Sequence, residues 1–204
     1  MLIKTLTVGQ IETNCYVVTN ENTLECVIID PGDESNYIMN YLEENHLKCE
    51  AIFLTHGHFD HVLAVNAIME QTGAEVYICP RDDANITGDR NYCFMLPEGG
   101  HHYDEGDVLR FAGLTFQILA TPGHTRGGVC IICENAIFCG DTLFRGSCGR
   151  VDLPGGDMMT ELQSLKRLCD LPGDYEVYPG HMDSTTLERE RNFNYYCREA
   201  MRRC

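Results

Sequence analysis

Thr55-His56-Gly57-His58-Phe59-Asp60-His61 follows directly on the apolar run Ala51-Ile52-Phe53-Leu54 and leads into the helical pattern Val62–Gln71. The run predicts a buried strand that stops at Thr55, so the histidines and the aspartate lie at a strand-to-helix junction. In an extended segment, residues two apart project to the same side, which lets His56 and His58 reach one cation. Gly57 lets the backbone bend between them. Asp60 and His61 fall where the chain enters the helix, so they project elsewhere and suit a second cation. Imidazole and carboxylate are ligand types for zinc, iron or manganese.

Further donors occur at predicted strand ends. His124 sits in Thr121-Pro122-Gly123-His124-Thr125 after the strand Leu114–Leu119, and Asp141 in Cys139-Gly140-Asp141-Thr142 after Ile137–Cys139. His181 sits in Tyr178-Pro179-Gly180-His181 after Tyr175–Tyr178. Each follows a glycine, which permits a sharp turn and close backbone approach.

Around these junctions the pattern predicts strands at Leu2–Val8, Cys15–Thr19 and Leu24–Ile29, then the breaker Asp30-Pro31-Gly32 and a helix over Glu34–Asn45. Strands at Glu75–Cys79, Val108–Phe111 and Gly128–Cys133 and a helix at Met159–Cys169 follow, with residues 81–107 polar and turn-rich. A terminal helix spans about 186–202, and its run Glu188-Arg189-Glu190-Arg191 reads as a solvated face. His46, His101 and His102 read as solvated too. With no linker and no low-complexity stretch, one domain over 1–204 is the simplest account. Grouped strands with helices between them predict a sheet-on-sheet core clad in helices.

Composition narrows the partners. Lys and Arg number 15 against 31 Asp and Glu, a formal charge of −16 that repels phosphate backbones and disfavours nucleic acid. No stretch approaches the ~20 apolar residues of a membrane span, and the start of the chain turns polar too early for a signal peptide. The 12 cysteines therefore read as reduced thiols of a cytoplasmic protein. Cys130 and Cys133 lie three apart in a strand, on opposite faces, which makes them core residues rather than a metal or redox pair.

Taken in order, these motifs resemble the metallo-β-lactamase fold hydrolases, and within them the short glyoxalase II-like (hydroxyacylglutathione hydrolase-like) group. The resemblance runs from Asn14-Cys15-Tyr16 to His181. It implies an α/β fold, a four-layer αββα sandwich of mixed β-sheets with helices on both outer faces, and a dinuclear site at one edge. One metal would take His56, His58 and His124, the other Asp60, His61 and His181, with Asp141 bridging. Asp30 would support the His-rich loop without binding metal. The implied cofactors are two divalent cations, zinc first, with iron or manganese as alternatives. The implied chemistry is attack by a metal-bridging hydroxide, oriented by Asp60, on a small thioester or related acyl ester.

Arg145 and Arg150, in the loop after Asp141, could hold a substrate carboxylate by bidentate pairing. Arg150 also reads as a brace to Asp152 or Asp157. The stretch Met182-Asp183-Ser184-Thr185-Thr186 lacks the aromatic contact that the glutathione-dependent enzymes place there, so no grip on a glutathione tail is expected. Other activities compatible with the same ligands are a persulfide dioxygenase-like reaction at one iron and lactone hydrolysis. The contrasting reading is a metal-binding interaction module without turnover.

Overall fold

The period-two alternation of the apolar strands decides the layers. In the computed structural model, which describes residues 1–203, Cys26 and Ile28 face one side of a strand while Val27 and Ile29 face the other. Both sides of this strand are buried, so it carries two cores.

The strands, in chain order, are β1 Leu2–Val8, β2 Thr13–Asn20, β3 Glu25–Ile29, β4 Lys48–Leu54, β5 Glu75–Ile78, β6 His101–His102 and β7 Val108–Phe111. They continue as β8 Leu114–Ala120, β9 Val129–Cys133, β10 Ala136–Gly140, β11 Leu143–Phe144, β12 Ser147–Cys148, β13 Glu176–Pro179 and β14 Thr185–Thr186. The helices are α1 Ser35–Glu44, α2 Phe59–Val62, α3 Val65–Thr72, α4 Ala84–Thr87, α5 Met158–Cys169, α6 Leu187–Phe193 and α7 Tyr195–Arg203. One sheet runs β1-β2-β3-β4-β5-β6 and the other β14-β13-β10-β9-β8-β7, with a small β11-β12 ribbon apart. Both large sheets mix parallel and antiparallel pairs.

Three apolar clusters separate four layers. Ile38, Leu42, Val65 and Ile68 of α1 and α3 pack on the outer face of the first sheet with Val17, Ile28 and Ile52. Val27, Phe53, Phe116, Ile131 and Phe138 fill the space between the sheets, where Phe53 meets Phe116 edge to face at 5.1 Å. Leu162, Leu165 and Leu168 of α5, with Leu187, Cys197 and Ala200, cover the outer face of the second sheet. This is the expected αββα sandwich. Cys130 and Cys133 lie in different clusters, on opposite faces of β9. The 11 cysteines among the described residues are all free, and no helix there is long and apolar enough to cross a membrane.

The helical pattern over Val62–Gln71 breaks at Leu63–Ala64, where Ala64 N–H donates to Pro31 O (3.0 Å) and pulls the chain off the first axis. The expected terminal helix breaks at Asn194, which is fully buried and adopts extended backbone. Its amide donates to Ser147 O (2.8 Å) and its Oδ1 accepts from Tyr196 N–H (2.9 Å), so it closes one helix and caps the next. The charged run on α6 is not all solvated either. Glu190 is 0% exposed and accepts from Thr185 Oγ1 and Gly146 N–H, both at 2.7 Å. Arg191 donates to the carbonyls of Cys169 (2.9 Å) and Gly173 (2.6 Å), satisfying the end of α5 and the turn after it.

Candidate metal centre

Strand ends place the donors. Asp30 follows β3, the His56–His61 segment follows β4, His124 follows β8, Asp141 follows β10 and His181 follows β13. The two sheets meet at this edge, where Val129 N–H donates to Thr55 O (2.9 Å) and Asn14 N–H to Gly180 O (2.7 Å). Gly180 has to be glycine. A Cβ there would sit 2.3 Å from Asp141 Oδ1 and 2.7 Å from His61 Cε1, in the space these side chains occupy.

Three sets of donors converge, His56, His58 and His124, then Asp60, His61 and His181, and also Asp30, His56 and His61, with the ligand atoms of each set within 4.8 Å of one another. Asp30 is already engaged by Thr55 and His61, which leaves the first two as the candidate metal groups. Asp141 lies between them. Its Oδ1 is 3.4 Å from His61 Nε2, and its Oδ2 is 3.5 Å from His124 Nε2 and 3.6 Å from His181 Nε2. The seven positions singled out in the sequence are thus brought together.

Buried neighbours set the tautomers. Asp30, 2% exposed, accepts from Thr55 N–H at Oδ1 (2.7 Å), and from Thr55 Oγ1–H (2.6 Å) and His61 Nδ1–H (2.9 Å) at Oδ2. With its proton given to Asp30, Thr55 Oγ1 has only lone pairs for His56 Nδ1 at 3.1 Å, so that nitrogen is the donor. His124 Nδ1 donates to Arg150 O (2.7 Å). In all three rings the proton lies on the outer nitrogen and the Nε2 lone pair points inward, the arrangement a metal-ligating histidine needs. His56 Nε2, His61 Nε2 and Asp141 Oδ1 are buried without a hydrogen-bond partner, while His58 turns Nδ1 toward His124 Nε2 at 2.9 Å. Orphaned acceptors at this depth are costly unless a cation meets them, so the donor set suits divalent metal.

Electrostatics agree. Burial, reinforced by the neighbouring His61 and His124, lowers the His56 pKa well below the usual imidazole range. Burial, with His124 beside it, lowers His58 to about 4, so both rings stay neutral ligands at physiological pH. Burial opposes charge on His61 as well, but Asp141 and Asp30 outweigh it and raise its pKa. The field that draws a proton to that half of the site also draws a cation. Burial works against ionised Asp60, yet the His181 hydrogen bond and the charges of His61 and His181 hold its carboxyl well below the usual range.

Asp82 carried no signal in the sequence, because it lies in the turn-rich segment. It is 2% exposed and accepts from Gly57 N–H (3.1 Å), Thr125 Oγ1–H (2.7 Å) and Gly127 N–H (2.8 Å). It therefore ties the His56–His58 loop to the His124 loop. A Cβ on Gly57 would lie 2.7 Å from Asp82 O, which explains glycine between those two histidines. Thr13, also unforeseen, donates to Asp60 Oδ2 (3.1 Å).

Arg150 pairs with Asp152 through two 2.7 Å bonds and Arg145 with Asp183 at 2.9 Å, all exposed. Arg150 is thus held as the brace reading expected, and its carbonyl rather than its guanidinium touches the centre. His46 and His101 are exposed. His102 is exposed as well, with Nε2 2.8 Å from the buried Asp83 Oδ2, and lies outside all of the ligand groups.

Residues 8–181 match the metallo-beta-lactamase superfamily, and the chain belongs to it. Among its relatives, hydroxyacylglutathione hydrolase GloC of Haemophilus influenzae is 32% identical, with 95% of this chain and 97% of that protein aligned. The crystal structure of BLEG-1 B3 metallo-beta-lactamase superposes with a TM-score of 0.86 at 33% identity, covering 96% of this chain and 99% of that one. TTHA1623, solved in a di-iron-bound form, gives 0.81 at 37% identity over 95% and 99% of the two chains.

Proposed function

We propose that this protein is a dinuclear metal-dependent hydrolase of small thioesters or related acyl esters. The observation that carries the reading is the inward convergence of two ligand groups with Asp141 between them. His56, His58 and His124 would hold one cation, Asp60, His61 and His181 the other, and Asp141 would face both. Two bound divalent cations lower the pKa of water toward neutrality and polarise a carbonyl oxygen.

The protein's own groups do the rest. Asp60 stays ionised and is steadied by Thr13, so it can accept a hydrogen bond from the attacking water and aim it. Asp141 balances cationic charge from the middle of the site. Asp30 and the Arg150 carbonyl keep the imidazole lone pairs inward. A protein nucleophile is not needed, and the thiol near the site is a poor one. Cys139 is 1% exposed, burial raises its pKa, and its sulfur donates to Leu143 O.

The likeness to GloC supports ester hydrolysis, and the di-iron form of TTHA1623 keeps iron beside zinc as the resident metal. Elemental analysis of purified protein combined with a panel of small thioesters, oxyesters and lactones tests the proposal. Two metals per chain and metal-dependent thioester turnover are expected. One tightly bound iron with oxygen consumption, or two metals with no hydrolysis of any member, would refute it.

A further inference from the structure

Beside the metal centre, the turn between β1 and β2 and the short helix α2 enclose a groove of about 240 Å³. Its walls carry large apolar side chains that water should not favour. Ile11 is 51% exposed, Phe59 61% and Leu63 59%. Phe59 and Leu63 are four apart across α2 and share a face, with Ile11 on the opposing turn. Val8 and the backbone of Gly9 and Gly32 complete the lining. The groove is continuous with the reactive centre, because Asp60 and Thr13 line it as well and are hydrogen-bonded to each other. A clustered apolar surface opening on polar chemistry is how small-molecule sites are built.

We propose that this groove is the acyl subsite, and that the substrates are esters or thioesters of neutral, unbranched aliphatic acids of about four to eight carbons. The proposal rests on the hydrolase reading above and adds the acyl class to it. A volume of about 240 Å³ holds roughly eight water-sized atoms, at ~30 Å³ each. The formal charge of −16, with Asp33 in the lining, favours an uncharged chain over an anionic tail. A chain lying here leaves its carbonyl beside Asp60.

Burying one methylene fully is worth ~0.8 kcal/mol, about fourfold in rate constant. In an open groove that keeps about half of the water contact, about twofold per methylene is expected. The test is kcat/KM for acetyl, butanoyl, hexanoyl and octanoyl esters of one small thiol with the metal-loaded enzyme. A rise of roughly 16-fold from acetyl to hexanoyl, levelling by octanoyl, is expected. Ile11→Ser and Leu63→Ser should each cut the hexanoyl-to-acetyl ratio to about fourfold or less. The ratio is insensitive to any general loss of activity.

A second readout does not depend on turnover: hexanamide, a neutral and hydrolysis-resistant analogue, should shift the methyl NMR signals of Ile11 and Leu63 and leave Val27 unmoved. A flat chain-length series in an active enzyme would overturn the proposal. So would unmoved methyls, or Ile11 and Leu63 signals that change with protein concentration alone, since a second copy would then cover the face. If no ester is turned over, the hydrolase reading fails and the hexanamide shifts alone decide the groove.

Discussion

Replacing Asp30 by Asn isolates what one buried carboxylate does for the metal centre. The side chain keeps its volume, and Asn tolerates the left-handed backbone that Asp30 adopts at φ 51°, so no strain is added. What changes is hydrogen bonding at Oδ2, where the Thr55 hydroxyl (2.6 Å) and His61 Nδ1–H (2.9 Å) both donate. If the amide oxygen takes the place of Oδ1 it keeps Thr55 N–H, and the NH2 group then faces two donors. Thr55 can rotate its hydroxyl and accept, but His61 Nδ1–H loses its acceptor. Moving the proton to Nε2 would turn an N–H into the ligand site.

Loss of such an outer partner costs roughly 10–100-fold in metal affinity, or about 1.4–2.7 kcal/mol. Metal-free stability should fall by about 1.5–3 kcal/mol, the value of a buried hydrogen bond to a charged group. Competition with a chromophoric chelator measures the first quantity and thermal melts of the metal-free protein the second. The loss should be larger at the Asp60–His61–His181 half. If metal affinity stays within twofold of wild type while metal-free stability drops as stated, Asp30 merely props the fold, and its role in orienting His61 is refuted.

Asp141→Ala should reduce bound metal below two per chain and abolish turnover, because Asp141 is the carboxylate that faces both groups. Retention of both metals with near-normal rates would show the bridging role to be misassigned. Asp82→Asn leaves an acceptor for Gly127 N–H but turns a donor toward Gly57 N–H, so about a tenfold affinity loss is expected at the His56–His58–His124 half. Metal titration should find the other half within twofold of wild type, and equal loss at both would mean Asp82 acts only through global stability. Glu161 is 0% exposed, and its carboxyl faces the His124 backbone without a formed hydrogen bond. Burial, with Asp141 adding to it, raises its pKa to about 9. The folded state then keeps a proton that the unfolded chain releases near pH 4.5, so this group's contribution to stability falls as pH rises from there toward 9. Glu161→Gln should remove a slope of up to ~1.4 kcal/mol per pH unit, read from denaturant melts between pH 5 and 9. Parallel curves for the two proteins would contradict it.

The candidate ligands were legible because each is tied to a local event. A strand that alternates or runs apolar must stop somewhere, and Thr55, Gly123, Gly140 and Gly180 mark the stops beside His56, His124, Asp141 and His181. The same alternation placed Cys130 and Cys133 on opposite faces of β9. Where local reading failed, a distant partner had intervened. Asn194 breaks a helix whose pattern is continuous, because the backbone of Phe144 and Ser147 offers its amide better partners than solvent does. Glu190 looks like one more surface acid until Thr185 and Gly146 are seen to bury it.

Periodicity and residue chemistry at chain breaks were thus enough for the layers and for the list of metal-binding candidates. The direction of the His56, His61 and His124 lone pairs, the tie made by Asp82 and the groove beside Asp60 came only with packing in three dimensions. The partners involved are far apart along the chain. Asp30 meets His61 across 31 residues, Asp82 meets Gly127 across 45, and His124 meets the Arg150 carbonyl across 26. Hydrogen bonds to backbone groups leave no mark on residue type, and no local pattern encodes which distant loops the packing of two sheets will bring into contact.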